Sequence, residues 1–368
     1  MRTGASQIMA RIREWLLRMM LLAVSIAVGL LAAEGMTRIL HPISDGRDNV
    51  TLDGVRIKSW FEPGTVYRQV SNEYDARTTI TAQGHRAPGS DGNPDVVFIG
   101  DSFTYGWGIE DPDTFVSIYC TRMARSCANL GAPGTGTAKQ LNRLEDFLDR
   151  YHWQPKEVKL VFFGMSGAWS AGNDFVDNYD ERGLVTGGSP SKVTAASATA
   201  NTTPASSLPD SPQERPRIGF AERLIGMQTF VMGRSNLVRL AKFYWGPMLK
   251  SLIVADPGQE RLSQALRFTA ANLTRLDELS RARGFDYRIY LIVPVQDVIR
   301  GSYDQTLAAL NGVSPKPVIS TAPLFADDPA SYYFAFDGHV NVKGSGRIGE
   351  FLVELEHGGP AAPPAAAR

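Results

Sequence analysis

The chain has 368 residues, with 38 basic and 38 acidic side chains, so its formal net charge is zero. This balance argues against a dedicated nucleic-acid-binding protein, which needs a basic surplus to displace counterions. Two cysteines exclude a disulfide-rich scaffold or a cysteine-rich zinc module, and none of the five histidines forms an H-E-x-x-H pair. With 43% hydrophobic residues, the chain can bury a sizeable core. We therefore expect a globular protein without a metal or other cofactor.

The chain begins with a basic segment, and a long apolar run follows it. Residues 1–18 carry four arginines and one glutamate, and the run from Trp15 to Ala33 is interrupted only by Arg18. As a helix this run is roughly 28 Å long, close to the hydrocarbon thickness of a bilayer. We interpret residues 15–36 as a transmembrane anchor, with residues 1–14 in the cytoplasm and the remainder outside it. A cleavable signal peptide is the alternative, although the run ends in a poor cleavage site.

Cys120 and Cys127 are separated by seven positions, one in a predicted helix and one at the start of a predicted strand. An extracytoplasmic compartment permits a disulfide. A continuous helix would nevertheless hold the two residues about 10 Å apart, too far to bridge. A disulfide and two buried thiols both remain open.

Apolar strands alternate with helices from residue 95 onward. Strands are predicted at 96–100, 127–131, 158–164 and 287–295, and helices at 114–125, 137–151 and 260–283. Strands that are apolar throughout and separated by helices indicate a parallel sheet covered on both faces. The predicted fold class is therefore α/β, a three-layer αβα arrangement around a central parallel sheet, preceded by one transmembrane helix.

Changes in composition along the chain indicate how the part after the predicted anchor is organised. Residues 37–94 form an N-terminal segment before a catalytic domain at 95–355. Within that domain, the Ser/Thr/Pro-rich stretch 183–216 is predicted to be a disordered insertion, because it cannot bury enough apolar surface to fold. Helical periodicity resumes in accessory helices at 217–250, and the tail at 356–368 is again predicted to be disordered.

The residues with the clearest chemistry lie at opposite ends of the predicted domain. Gly100-Asp101-Ser102 follows the first apolar strand, where a serine can project its hydroxyl into a cleft, although the same letters also suit a helix N-cap. Near the C-terminus, Asp337 and His339 share a glycine-rich loop. A nucleophilic serine needs a base, and the base needs an orienting carboxylate, so we predict a Ser102–His339–Asp337 triad.

In this order the motifs resemble those of the SGNH (GDSL-type) hydrolase family. GDSFTYGWGIEDPDTF contains Ser102, Asn129–Gly134 (NLGAPG) resembles the second block, Gly-Asn-Asp with Asn173 the third, and Asp337–His339 the fifth. The resemblance implies a flavodoxin-like sheet with Ser102 as the nucleophile. It also implies an oxyanion hole made by the backbone N–H groups of Ser102 and Gly134 and the side-chain amide of Asn173.

Two departures from the family pattern affect the predicted site. The third block usually follows its strand directly, but here the strand runs into Gly-Met-Ser and Gly-Asn-Asp comes later. Either Asn173 still reaches the site, which we favour, or Ser166 takes its place. The fifth block is one residue shorter than the usual D-x-x-H, which bears on Asp337 more than on His339.

The first two blocks and the predicted anchor are similar to one branch of the family. That branch includes membrane-linked proteins acting on acetylated polysaccharides, such as the alginate O-acetylation proteins. It implies a single-pass protein of the bacterial inner membrane with a periplasmic esterase or O-acetyltransferase domain. Its expected partners are an acylated glycan, the membrane and a membrane acyltransferase or polysaccharide-synthesis complex, with no nucleic acid. A non-catalytic glycan-binding or scaffolding subunit is the alternative.

Gly84-His85-Arg86 resembles a G-x-R element found upstream of the first block in membrane-linked relatives. Arg86 is therefore a candidate for binding a substrate hydroxyl or carboxylate. Alternatively, it ties the N-terminal segment to the sheet, and we favour this second interpretation.

Overall fold

The structure is a computed structural model of the chain. It describes residues 3–40, 50–52, 55–56, 61–71, 73–89, 92–165, 174, 235–238, 240 and 258–359. The insertion predicted at 183–216, most of the accessory helices predicted at 217–250 and the tail from residue 360 lie outside the described residues. Helix 3–40 and the described residues of 235–240 form one compact unit, and the other described residues form a second.

The N-terminal helix α1 runs from Thr3 to Leu40 and contains the predicted anchor at 15–36. An 18-residue window within Arg11–Leu40 reaches a mean hydropathy of 2.3, so this helix is long and apolar enough to span a membrane. Its large apolar side chains are exposed, which is the surface a lipid-facing helix requires. The identity of the membrane and the orientation of the helix in it remain predictions.

The C-terminal part of α1 contacts the described part of the predicted accessory helices. The Glu34 carboxylate accepts hydrogen bonds from Ser235 Oγ at 2.7 Å and from the backbone N–H groups of Asn236 and Leu237, both at 3.0 Å. These N–H groups open a helical turn and would otherwise lack an acceptor. Glu34 therefore fixes α1 to this segment.

The predicted N-terminal segment contains a four-stranded antiparallel sheet in the order β2-β1-β3-β4. Its strands are β1 (Val50–Leu52), β2 (Val55–Arg56), β3 (Val66–Val70) and β4 (Asp75–Thr79). Alternate residues of the β3–β4 hairpin are buried, among them Tyr67 and Gln69. The sheet belongs to the same compact unit as the α/β part.

The second sheet is parallel throughout and has the order β6-β5-β7-β8-β9. Its strands are β5 (Val96–Gly100), β6 (Cys127–Asn129), β7 (Glu157–Phe163), β8 (Asp286–Ile292) and β9 (Val318–Ser320). After β5 the chain forms β6 on one side of β5 and then crosses over to form β7 on its other side. The strand order therefore reverses at β5. In sheets of this kind, ligands bind at the carboxyl ends of the strands where the strand order reverses. Ser102 directly follows β5 at that point.

Helices cover both faces of the parallel sheet. They are α2 (Ser102–Tyr105), α3 (Phe115–Met123), α4 (Thr137–Arg150), α5 (Gly258–Arg283), α6 (Val295–Arg300), α7 (Tyr303–Asn311) and α8 (Val342–Glu356). Helix α3 packs against α8, and α4 packs against α5. The predicted α/β class is therefore confirmed, and the predicted helices and strands lie within a few residues of the observed ones.

Cys120 and Cys127 form a disulfide, with their Cα atoms 6.1 Å apart. The separation expected from a continuous helix is wrong, because α3 ends at Met123. Ala124 then adopts a positive φ of 49° and turns the chain back toward β6. The disulfide joins the end of α3 to the first residue of β6.

Helix α8, which follows the predicted catalytic loop, is fixed to the sheet by a buried charge cluster. Lys159 in β7 is fully buried, and its Nζ donates to Glu157 Oε1 at 2.6 Å and to Glu356 Oε1 at 2.7 Å. Arg288 in β8 also donates to Glu356, at 3.1 Å. Since a buried ammonium needs such partners, this cluster holds the end of α8 against the sheet.

Candidate active site

Strand β5 runs directly into the tight turn that presents Ser102. A Cβ atom at Gly100 would collide with Thr104 Oγ1, so only glycine fits where the strand turns into the helix. Asp101 provides the N-cap of α2, accepting the backbone N–H of Phe103 at 2.9 Å. The capping role therefore belongs to Asp101, and the Ser102 hydroxyl is left to face the site.

Asp337 and His339 lie in the loop before α8, and backbone hydrogen bonds within this loop hold its conformation. Gly338 between them has a φ of 85°, a conformation that strains residues with a side chain. Phe334 accepts the N–H of Gly338 at 3.1 Å and donates its own N–H to His339 O at 2.8 Å. This turn allows the shortened D-x-H spacing to bring the carboxylate to its own histidine.

The structure brings Ser102, His339 and Asp337 together. His339 Nε2 lies 2.7 Å from Ser102 Oγ, and His339 Nδ1 is hydrogen-bonded to Asp337 Oδ1. Because an ionised carboxylate only accepts, Nδ1 carries the proton and Nε2 accepts from the serine hydroxyl. The Phe103 ring supports the imidazole, with the ring centres 4.7 Å apart. This order of contacts is that of a nucleophile, a base and an orienting acid.

The electrostatics of the loop keep Asp337 ionised. Burial by itself raises the pKa of this carboxyl group, but the hydrogen bonds from His339, together with that from the hydroxyl of Tyr74, hold the net pKa below its usual value. The side chains of His339 and Asp337 remain 21% and 17% exposed, so the base is accessible. A charged Asp337 can fix the histidine tautomer and stabilise an imidazolium.

The second sequence block lies beside the Ser102 turn. Asn129, which is fully buried, donates its side-chain amide to Thr104 O at 2.9 Å and accepts the N–H of Gly131 at 3.0 Å. Gly134 follows in the same loop with a φ of 70°. Neither Ser102 nor Gly134 donates its backbone N–H to another group of the described residues. Both predicted oxyanion donors thus lie at the same edge of the sheet with their N–H groups unengaged there.

The third predicted donor is not decided, because Asn173 and the alternative Ser166 both lie outside the described residues. The neighbouring Asp174 is described and buried. It accepts the backbone N–H of Thr137 at 2.5 Å and the hydroxyl of Thr269 at 2.8 Å. Asp174 is therefore fixed at the N-terminus of α4, the helix that follows the loop carrying the second block.

Arg86 is fully buried. Its guanidinium donates to the carbonyl oxygens of Tyr105, Gly106 and Ile109, and its Nε lies 3.2 Å from Asp111 Oδ1. With its donors engaged inside the protein, Arg86 has no surface to offer a ligand. These hydrogen bonds tie the N-terminal segment to the turn after the nucleophile.

Sequence reasoning missed the support that the N-terminal hairpin gives to Asp337. The Tyr74 hydroxyl donates to Asp337 Oδ2 at 3.1 Å and accepts from Trp107 Nε1 at 2.9 Å. Glu73 accepts the backbone N–H groups of Phe336 and Asp337, at 3.1 and 2.8 Å. Only Trp107, inside the first block, carried a signal that could have pointed to this contact.

Among the residues that the structure describes, no group of three or more His, Cys, Asp or Glu side chains could hold a metal ion. No family model matches the chain, and no curated protein matches it. One solved structure that matches comes from Parabacteroides merdae and belongs to a protein proposed to be a GDSL-like lipase. The match covers 73% of this chain and 99% of the other, with 12% identity and a TM-score of 0.34.

Proposed function

We propose that the chain is a serine esterase or O-acyltransferase. The observation that carries this proposal is the hydrogen-bonded series Ser102–His339–Asp337 at the carboxyl edge of the parallel sheet. Ser102 attacks an ester carbonyl while His339 Nε2 accepts its proton, and Asp337 stabilises the imidazolium that forms. The N–H groups of Ser102 and Gly134 and the amide of Asn173 receive the oxyanion. Collapse of the tetrahedral intermediate expels the alcohol, protonated by His339, and leaves an acyl-enzyme.

The second half of the reaction distinguishes the two activities. If water attacks the acyl-enzyme the chain is an esterase, and if a sugar hydroxyl attacks it is an O-acyltransferase. We propose an acetyl ester of a polysaccharide or other envelope glycan as the substrate, which rests on the motif resemblance. We further propose that α1 anchors the protein in the bacterial inner membrane with its active site in the periplasm, where a membrane acyltransferase or polysaccharide-synthesis complex would be its partner. The apolar surface of α1 supports the anchoring.

Fluorophosphonate labelling of the full-length protein in detergent tests the proposed nucleophile. We expect labelling and acetyl-ester cleavage in the wild type, neither in Ser102→Ala, and both in Ser314→Ala, whose hydroxyl donates to Lys316 O in a turn. If the wild type resists labelling, the non-catalytic scaffolding function replaces the enzyme. Adding an oligosaccharide acceptor and following its acetylation by mass spectrometry then separates transfer from hydrolysis.

Paired variants decide the third oxyanion donor. Loss of one donor costs roughly 10²–10³ in turnover. We expect this loss in Asn173→Ala and near-normal turnover in Ser166→Ala. The opposite result would move the role to Ser166.

A further inference from the structure

We propose that Tyr74 is a positioning residue for the catalytic carboxylate, so that the β3–β4 hairpin is a working part of the active site. This inference rests on the proposed function, because it assigns Tyr74 to the same triad. Tyr74 and Asp337 are separated by 263 positions in the sequence, yet their side chains are hydrogen-bonded at 3.1 Å. The contact continues the triad outward as Trp107–Tyr74–Asp337–His339–Ser102.

The direction of each hydrogen bond in this series is determined. The indole N–H of Trp107 can only donate, so the Tyr74 oxygen accepts from it. The Tyr74 proton is then directed to Asp337 Oδ2, because an ionised carboxylate can only accept. Burial and the charge of Asp337 raise the pKa of Tyr74, so the phenol keeps the proton it donates.

This arrangement leaves Asp337 one orientation. Oδ2 is taken by Tyr74, and Oδ1 receives both the imidazole and the backbone N–H of His339, the latter at 3.3 Å. Glu73 holds the main chain on either side by accepting the N–H groups of Phe336 and Asp337. A carboxylate held at both oxygens and at its backbone cannot rotate away from the histidine.

The surroundings of Tyr74 are shaped to receive its ring. Tyr74 is 8% exposed, and its ring lies 4.9 Å from that of Phe334, in the loop that carries Asp337. A Cβ atom at Gly108 would lie 2.7 Å from the Tyr74 ring, so the glycine after Trp107 leaves room for it. The loop that carries Asp337 and the turn that carries Gly108 therefore both accommodate the Tyr74 ring.

The test compares Tyr74→Phe with Tyr67→Phe in the full-length protein in detergent. Tyr67 lies in the same hairpin and is fully buried, but its hydroxyl accepts the N–H of Glu62, at 2.9 Å, and is hydrogen-bonded to Thr65 rather than to a residue of the triad. Both variants lose one buried hydroxyl and keep the ring. Loss of a hydrogen bond to a charged group predicts a fall in kcat on the order of 10- to 100-fold for Tyr74→Phe, with KM unchanged. Tyr67→Phe should keep the wild-type kcat.

A spectroscopic readout follows the positioning itself. In protein labelled with ¹⁵N-histidine, the His339 Nδ1 proton, assigned with His339→Gln, should resonate far downfield because it is bonded to a carboxylate. We expect Tyr74→Phe to shift or broaden this resonance and Tyr67→Phe to leave it unchanged. Equal kcat values and identical resonances in the two variants would overturn the inference, and so would a fall in kcat without a change in the resonance. If the wild type neither labels nor cleaves esters, the proposed function fails, while the resonance still decides whether Tyr74 orients Asp337.

Discussion

Replacing Arg86 with leucine should destabilise the protein without changing how it binds substrate. The substitution keeps an apolar stem but removes the guanidinium. The carbonyl oxygens of Tyr105, Gly106 and Ile109 then lose a charged donor, and Asp111 loses its ion-pair partner.

The magnitude follows from the burial of the pair. Removing one partner of a buried ion pair costs about 3–5 kcal/mol. The Arg86 side chain is 0% exposed but that of Asp111 is 20% exposed, so water can partly solvate the remaining carboxylate. We therefore expect the lower end of this range, about 3 kcal/mol of lost unfolding free energy. For a unit of this size, that corresponds to a melting temperature lower by roughly 6–12 °C.

Thermal unfolding followed by circular dichroism measures this loss, and ester-cleavage kinetics on the protein that remains folded measure KM. The matched control is Arg125→Leu, because Arg125 is 36% exposed and lies 3.5 Å from Glu157, which predicts a loss of only about 0–1 kcal/mol. If Arg86→Leu melted with the wild type and raised KM instead, Arg86 would be a substrate-binding residue and our reading of its contacts would be refuted.

Three further predictions follow from the loop and the disulfide. Replacing both Cys120 and Cys127 with alanine should cost about 2.5 kcal/mol of unfolding free energy, from the short loop that they close; alkylation of both thiols in the wild type without prior reduction would show that the disulfide is absent. Gly338→Ala forces a side chain to a φ of 85° and should lower kcat, whereas Gly346→Ala, inside α8 with open space at its Cβ, should keep kcat and add about 0.5–1 kcal/mol of stability; equal kcat losses would contradict this. Because the pKa of Asp337 is lowered on folding, its ionisation stabilises the protein above the unfolded pKa and this contribution is lost as the pH falls through the folded pKa. The stability difference between wild type and Asp337→Asn should therefore be constant near neutral pH and shrink in acid, and a difference that grew in acid would reverse the sign.

The parts of the fold that could be predicted are those whose pattern lies within a run of consecutive residues. The run at Val96–Gly100 is apolar throughout because both faces of β5 are covered, and its composition identifies it as a buried parallel strand. Strand β9, at Val318–Ser320, has only three residues, too few for a periodic pattern to emerge. The β3–β4 hairpin was missed for a different reason: polar residues such as Gln69 and Thr78 occupy its buried face.

The features of the candidate active site can likewise be separated into those that local motifs predict and those that they do not. Ser102, Asp337 and His339 could be predicted because each lies in a short motif whose residue types carry the chemistry. The disulfide could not, because the end of α3 at Met123 depends on where the chain turns back to β6. The contact of Tyr74 with the triad could not be predicted either, since no local pattern reports a partner so distant in the sequence.

The residues after the nucleophile in the first block also acquire a physical reason. Gly106 lets the Arg86 guanidinium approach, since a Cβ there would lie 2.8 Å from its Nη1, and Gly108 leaves room for Tyr74. Asp111 accepts the N–H of Thr79, at the end of β4, at 2.9 Å. These positions serve the N-terminal hairpin rather than the reaction at Ser102. Since Tyr74 in turn holds Asp337, a larger side chain at Gly108 would reach the catalytic acid by displacing the Tyr74 ring.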